Sequence, residues 1–251
     1  MRKPLIAGNW KMHNNLTETI ELLNGLKREL LDFDGVDILV CPPYTVLSDA
    51  KDILLDSNIK LGAQNLYWED KGAFTGEISA AMIKDIGCDF VIIGHSERRK
   101  YFQETNDSVN KKLNVALKQE LTPIVCVGET LDQREADKTT EVIKDQLSQG
   151  LKDVTTEDIL KLVIAYEPVW AIGTGKTATP DQAQEIHKFI RDWLDTQYDS
   201  DIASQVRILY GGSVKPSNIK DLMKEPDVDG GLVGGASLEI ASFSELVKGS
   251  I

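Results

Sequence analysis

Short apolar runs alternate along the whole chain with longer stretches whose apolar positions recur every three or four residues. Leu5-Ile6-Ala7 is the first run, and Leu16, Ile20, Leu23, Leu26 and Leu30 follow on one helical face. Asp37–Cys41 is the second; Pro42-Pro43 stops it, and Val46, Leu47, Ala50, Ile53 and Leu54 predict the next helix. Ile59–Ala63 leads through a long loop, Gln64–Glu77, to a short helix over Ala80–Ile86. Phe90–Ile93 precedes a helix from about Asp107 to Gln119, and Pro123–Val127 a charged helical region over about Leu131–Leu151. Leu162–Tyr166 is followed by a helix over Pro180–Tyr198, opened by Thr179-Pro180-Asp181 in a cap-then-proline pattern. Val206–Tyr210 leads to a short helix over Pro216–Met223, and Val228–Val233 to a final one over Leu238–Lys248.

Eight strand-like runs each followed by a helix force parallel pairing, because an antiparallel neighbour needs only a hairpin. Eight such units within 251 residues match a closed (β/α)₈ barrel of the α/β class. A doubly wound open sheet would carry its glycine-rich phosphate fingerprint after the first strand, and G-x-G-x-x-G is absent after Leu5–Ala7. No Gly/Ser- or Pro-rich linker divides the chain, so residues 1–251 read as a single domain.

Composition changes this picture little. The chain is 41% hydrophobic and 27% charged, ordinary for a folded domain. Its net charge of −12 argues against nucleic acid and anionic membrane surfaces as partners, and requires local donors for any anionic ligand. Cys41, Cys88 and Cys126 form an odd set without C-x-x-C spacing, each in or beside an apolar run, as expected for buried free thiols in the cytoplasm. The N-terminus lacks a signal-like apolar stretch, and no run approaches the roughly 18 apolar residues needed to span a membrane.

In a barrel, active groups lie just beyond the strand ends. Leu162–Tyr166 ends at Glu167, and Pro168 then prevents a smooth passage from strand into helix. Val169–Ile172 is an apolar tip that a solvent loop has no ordinary reason to carry, and glycine-bearing residues follow it. A carboxylate beside a hinged apolar loop reads as a base and its lid; burial would raise its pKa and strengthen it as a base. Taken alone, Glu167 also admits the lesser reading of a capped, hydrated strand-end carboxylate. The segment Gly173–Thr177 ends like a phosphate-cradling G-x-x-x-x-G-K-[ST] loop, but Trp170 occupies the place of the first glycine, so that reading fails.

The other strand ends supply Asn9 and Lys11, His95 and Glu97, Gly211-Gly212-Ser213 and Gly234-Gly235-Ala236-Ser237. Two glycine pairs on consecutive units, each leading toward a helix start, predict an anion site of free backbone N–H groups. His95 would face Glu167 across the barrel mouth. His187 reads as a solvated or packing residue, His13 receives no role, and Arg98 and Arg99 read as structural ion-pair partners. No metal-ligand or activated-nucleophile signature is present, so neither metal nor organic cofactor is expected.

Five segments together resemble the triosephosphate isomerases over essentially the whole chain. They are Gly8-Asn9-Trp10-Lys11, Gly94-His95-Ser96-Glu97-Arg98-Arg99, Ala165–Lys176, Tyr210-Gly211-Gly212-Ser213-Val214 and Val233-Gly234-Gly235-Ala236-Ser237-Leu238. The resemblance implies interconversion of dihydroxyacetone phosphate and D-glyceraldehyde 3-phosphate through an enediolate, a step of glycolysis and gluconeogenesis. It implies Glu167 as general base, His95 as a neutral electrophile, Lys11 as the charge-offsetting cation, Asn9 as its neighbour and Glu97 as a supporting carboxylate. Gly173, Ser213, Gly234 and Gly235 resemble the phosphate-binding donors. It also implies a homodimer in which the Gln64–Glu77 loop, with Thr75 near its tip, inserts into the partner. Read without the resemblance, that loop is merely long and unusually aromatic, with Tyr67, Trp68 and Phe74. A lyase or another isomerase for a small sugar phosphate, and a silent phosphate-binding barrel, are the alternative readings; Glu167 and His95 argue against the silent one.

Overall fold

The computed structural model describes residues 2–172 and 177–251. In chain order the elements are β1 (Leu5–Asn9), α1 (Leu16–Leu30), β2 (Asp37–Cys41), α2 (Leu47–Ile53), β3 (Ile59–Ala63), α3 (Ala80–Ile86) and β4 (Phe90–Ile93). There follow α4 (Ser96–Phe102), α5 (Asn106–Lys118), β5 (Thr122–Val127), α6 (Leu131–Glu135), α7 (Thr139–Gly150), α8 (Thr156–Ile159) and β6 (Val163–Tyr166). The remainder is α9 (Pro180–Gln197), α10 (Ser200–Ala203), β7 (Arg207–Tyr210), α11 (Ile219–Leu222), β8 (Gly230–Val233) and α12 (Ile240–Lys248). The strands close a parallel barrel in sequence order, β1 pairing with both β2 and β8. This is the (β/α)₈ barrel expected from the alternating runs.

Period-two alternation sorts the strand side chains into two cores. Leu5, Ala7, Leu39, Cys41, Phe90, Ile92, Ile124, Cys126, Val163, Ala165, Leu209 and Leu232 fill the barrel interior. Their neighbours, among them Ile6, Ile38, Val91, Val125, Ile164 and Ile208, point outward against the helices. With the interior filled by side chains, open space is left only at the ends of the barrel. Closure is tight where β8 meets β1: Gly230 has φ +139°, and a Cβ there would fall inside the backbone of Leu5.

The helix signals hold where sequence and packing agree. Thr179 caps α9 through a reciprocal box with Gln182, and Pro180 occupies the first turn. The charged region after β5 divides at Ala136–Lys138 into α6 and α7, and α4 forms directly after His95, where no helix was expected. In α1 the buried face is Thr19, Leu22, Leu23, Gly25, Leu26 and Leu30, whereas Leu16 and Ile20, expected on that face, are exposed. All three cysteines are buried free thiols. No helix among the described residues is long and apolar enough to cross a membrane.

His187 on α9 is fully buried rather than solvated. Its Nδ1 lies 3.0 Å from the Asp227 carbonyl, which accepts a hydrogen bond from the neutral ring, and the ring meets Tyr166 edge-on. Burial pushes its pKa down from 6.5 to about 4, so the unfolded chain binds this proton before the folded chain does. The stabilisation is fully present above pH 6.5 and is lost as the pH falls from there toward 4. Urea titrations at pH 7 and pH 4 should show His187→Gln losing about 3 kcal/mol less stability than the parent over that interval. Equal losses would assign the acid sensitivity to other groups.

Candidate active site

A cavity of about 310 Å³ opens at the C-terminal mouth of the barrel, lined by Asn9, Lys11, His95, Glu167, Ile172, the Gly211–Lys215 turn, Leu232 and Gly234–Ala236. The inward rows of the strands lead directly to it. Asn9 extends the row of Leu5 and Ala7, Glu167 that of Val163 and Ala165, Gly211 that of Leu209, and Gly234 that of Leu232. The volume suits a small ligand.

Glu167 is 1% exposed. Its Oε1 lies 2.9 Å from His95 Nε2, and its Oε2 accepts the backbone N–H of Ser96 at 2.9 Å. That N–H belongs to the free first turn of α4, where a carboxylate is favoured. Burial raises the Glu167 pKa, but the His95 ring, the Ser96 N–H and Lys11 together outweigh it, and the net direction is down from 4.5. The pKa expected from desolvation alone is therefore reversed in this arrangement.

His95 is positioned as the cap of α4: its Nδ1 accepts the Glu97 backbone N–H at 3.2 Å. The ring proton consequently sits on Nε2 and points at Glu167. Burial works against the imidazolium, whereas the charge and hydrogen bond of Glu167, then Glu97, favour it, leaving the His95 pKa above 6.5 while Glu167 stays in contact. Gly94, at φ +74°, turns the chain from β4 into this cap.

Lys11 holds a left-handed backbone, φ +53°, unusual for a side chain of its kind. Its N–H donates to Asn9 Oδ1 at 3.1 Å, and its carbonyl accepts Gln64 Nε2 at 2.8 Å. The side chain thus reaches the cavity and donates to Glu97 Oε1 at 2.6 Å. Asn9, Lys11, His95, Glu97 and Glu167 are brought together.

The glycine turns divide in function. Gly211 and Gly212 do not open a helix; α11 starts several residues later. They are needed for space: a Cβ on Gly211 would lie 2.9 Å from Glu167 Cγ, and one on Gly212 would collide with the Tyr210 ring and sit 2.9 Å from Pro168 Cγ. Gly234 and Gly235 do lead into a 3₁₀ turn, Gly235–Leu238, and a Cβ on Gly235 would stand in open space beside the cavity. Ser213 lines the cavity with its carbonyl held by Asn218 Nδ2 at 3.0 Å. Gly173 and the rest of Gly173–Lys176 lie outside the described residues.

Strand-end reading overlooked the fifth unit. Glu129, just beyond β5, is fully buried, and its Oε1 accepts Trp170 Nε1 at 2.8 Å, Tyr166 OH at 3.1 Å and Arg134 Nη1 at 3.2 Å. Its carbonyl also accepts the Val169 N–H at 3.1 Å. The base of the apolar tip is therefore clasped by a carboxylate from the preceding unit, and the only sequence signal was the position of Glu129 two residues after an apolar run. Glu104, also missed, accepts Gly94 N–H at 2.9 Å, Arg98 Nε at 2.9 Å and Lys112 Nζ at 2.6 Å. Arg98 is the ion-pair partner expected; Arg99 instead donates to the carbonyls of Gly94 and Cys126 and to Asn106 Oδ1.

Fold and mouth together define a (β/α)₈-barrel enzyme. The chain matches the family described as Triosephosphate isomerase over residues 4–250. It is 59% identical to "Triosephosphate isomerase" of Endomicrobium trichonymphae over 248 residues, 99% of each chain. It is 56% identical to the protein of the same name from Carboxydothermus hydrogenoformans over 251 residues, the full length of both. The chain belongs to the triosephosphate isomerase family.

The contact between Glu167 and His95 is directly measurable. Nitrogen-15 NMR of the neutral ring should show the His95 proton on Nε2 and none on Nδ1. Because the carboxylate is what raises the imidazole against burial, Glu167→Gln should move the His95 titration to lower pH. An unmoved or rising titration would separate the two groups electrostatically.

Proposed function

We propose that this chain's isomerase reaction, between dihydroxyacetone phosphate and D-glyceraldehyde 3-phosphate, runs through Glu167 as the base and His95 as the proton donor to the substrate oxygens. The observation that carries this reading is the buried Glu167–His95 contact of 2.9 Å opening onto the cavity of glycine turns. Glu167 takes the proton from the carbon bearing the hydroxyl; the electron pair forms the carbon–carbon double bond of an enediolate, whose oxygen is stabilised by His95 Nε2–H. His95 Nε2 gives its proton to the former carbonyl oxygen and takes back the proton of the neighbouring hydroxyl, and Glu167 returns its proton to the former carbonyl carbon; together these transfers convert ketose to aldose.

To reach the substrate, Glu167 exchanges the Ser96 N–H and His95 for the carbon-bound proton. The contacts that lower its pKa are then lost while burial remains, with Ile172 and Leu232 lining the same cavity. Its basicity rises at the moment of use. The same departure relieves His95 of its nearest negative charge, so burial and its cap position keep the imidazole neutral. Lys11 offsets the ligand's charge, which the net charge of −12 would otherwise oppose, with Asn9 beside it and Glu97 holding its ammonium. Ser213, Gly234, Gly235 and the undescribed Gly173 bind the phosphate, and the tip beyond Glu167 covers it against water.

In a coupled assay on dihydroxyacetone phosphate, Glu167→Gln should lower kcat by about 10³-fold, the range of a lost general base. Turnover equal to the parent's would remove Glu167 from that role.

Residues 1–251 act as one catalytic domain in the cytoplasm, a location supported by three buried free thiols. The chain works as a homodimer through the Gln64–Glu77 loop. In that loop Tyr67 stacks on Trp68 at 4.1 Å and meets Phe74 at 4.9 Å, yet Phe74 remains 40% exposed. Met12, beyond β1, and Tyr101 and Phe102, at the end of α4, are exposed as well. This rim is more apolar than a monomer's surface requires. Thr75→Glu places a carboxylate beside Phe74, and sedimentation should show the dimer dissociation constant rising about 100-fold or more. An unchanged dimer would move the contact elsewhere.

A further inference from the structure

The geometry points to Gln146 on α7 as a positioning residue for Glu167, acting through the backbone of Gly128; this inference rests on Glu167 being the base. Strand β4 ends early, its last pair being Ile93 with Val125, because Gly94 turns the chain so that His95 can cap α4. Strand β5 continues beyond that point. Val127 turns its carbonyl to β6, where it accepts the Glu167 N–H at 2.8 Å. In a parallel strand successive residues face opposite neighbours, so Cys126 and Gly128 face the place where β4 has stopped.

Two side chains supply the missing rungs. Arg99 Nη2 donates to the Cys126 carbonyl at 3.2 Å. The Gln146 amide then takes both polar groups of Gly128: its Oε1 accepts the N–H at 2.7 Å and its Nε2 donates to the carbonyl at 3.0 Å. One donor and one acceptor on a planar amide reproduce what a neighbouring strand would offer. Without them the Gly128 N–H and carbonyl would lose these partners.

The Gly128 backbone is the wall behind the base. A Cβ on Gly128 would fall inside the Glu167 carbonyl oxygen and stand 3.2 Å from Glu167 Cβ, so the two backbones are in direct contact. The next residue, Glu129, holds the Val169 N–H and the Trp170 indole. Gln146 therefore fixes, from outside the barrel and without touching the cavity, the segment that sets both the Glu167 backbone and the root of the apolar tip.

Gln146→Met keeps the length of the side chain and removes both hydrogen bonds. It should lower kcat by about 10- to 100-fold, the cost of displacing a reacting group by a fraction of an ångström to one ångström, with KM within about threefold of the parent. Gln146→Glu adds a second readout. When ionised, the introduced carboxylate can accept the Gly128 N–H but faces its carbonyl with like charge; when protonated, it can donate again. Its kcat relative to the parent should therefore rise as the pH falls through the glutamate range. A Gln146→Met kcat within twofold of the parent, or a Gln146→Glu ratio flat with pH, would overturn the inference. Should Gln146→Met fail to fold, the Gln146→Glu profile decides. Glu167→Gln run alongside separates the failures: parent-like turnover there removes the base assignment, whereas its loss beside a parent-like Gln146→Met removes only the positioning role.

Discussion

A single negative charge withdrawn from water organises the mouth of this barrel. Glu167 is nearly inaccessible, and an unpaired carboxylate in such a place would be prohibitively costly. It is balanced by groups that can each release it: a backbone N–H at the start of a short helix, and an imidazole whose other nitrogen is already occupied. Neither is a fixed cation in direct contact, so the charge is satisfied without being locked. Early termination of β4, the left-handed turn at Gly94 and formation of α4 all serve to put those two donors opposite the end of β6.

Two left-handed backbone positions shape the site, each secured by neighbouring side chains. Lys11 keeps a left-handed φ because Asn9 and Gln64 take its N–H and carbonyl. Gly94 is tied by Glu104 and Arg99, and Glu104 is in turn neutralised by Arg98 and Lys112. Strain of this kind persists only where the surroundings over-determine it. The dense polar segment after β4 is thus mostly support: one imidazole faces the cavity, and the arginines beside it hold strand ends and a buried carboxylate.

The alternation of short apolar runs and helical periods was enough to read the closed barrel, because both patterns follow from burying a parallel sheet on two faces. Strand-end position was enough to find Asn9, Lys11, His95 and Glu167, since the inward row of each strand emerges at the mouth. What could not be read were contacts between distant units. Glu129 and Glu104 are ordinary acidic residues until the fold brings Trp170 to one and Lys112 to the other. The sign of the Glu167 pKa shift was lost for the same reason: burial is visible in an apolar context, but the Ser96 N–H is a product of α4, a helix that its own composition did not announce. The glycine turns were legible as turns, yet Gly211 and Gly212 turned out to provide clearance for Glu167, Tyr210 and Pro168 rather than a helix N-terminus.

The clasp on Trp170 bears on how such a barrel can change over evolutionary time. A (β/α)₈ chain looks modular, eight units that could be exchanged or shuffled one by one. Here the apolar tip of the sixth unit is latched by Glu129 and Arg134 of the fifth, and the backbone after β7 closes against the Tyr166 carbonyl. A transplanted sixth unit would arrive without the Glu129 carboxylate that accepts its indole N–H, and a transplanted fifth would take that carboxylate away. The smallest piece of this mouth that carries its own contacts is therefore a run of adjacent units, not a single one.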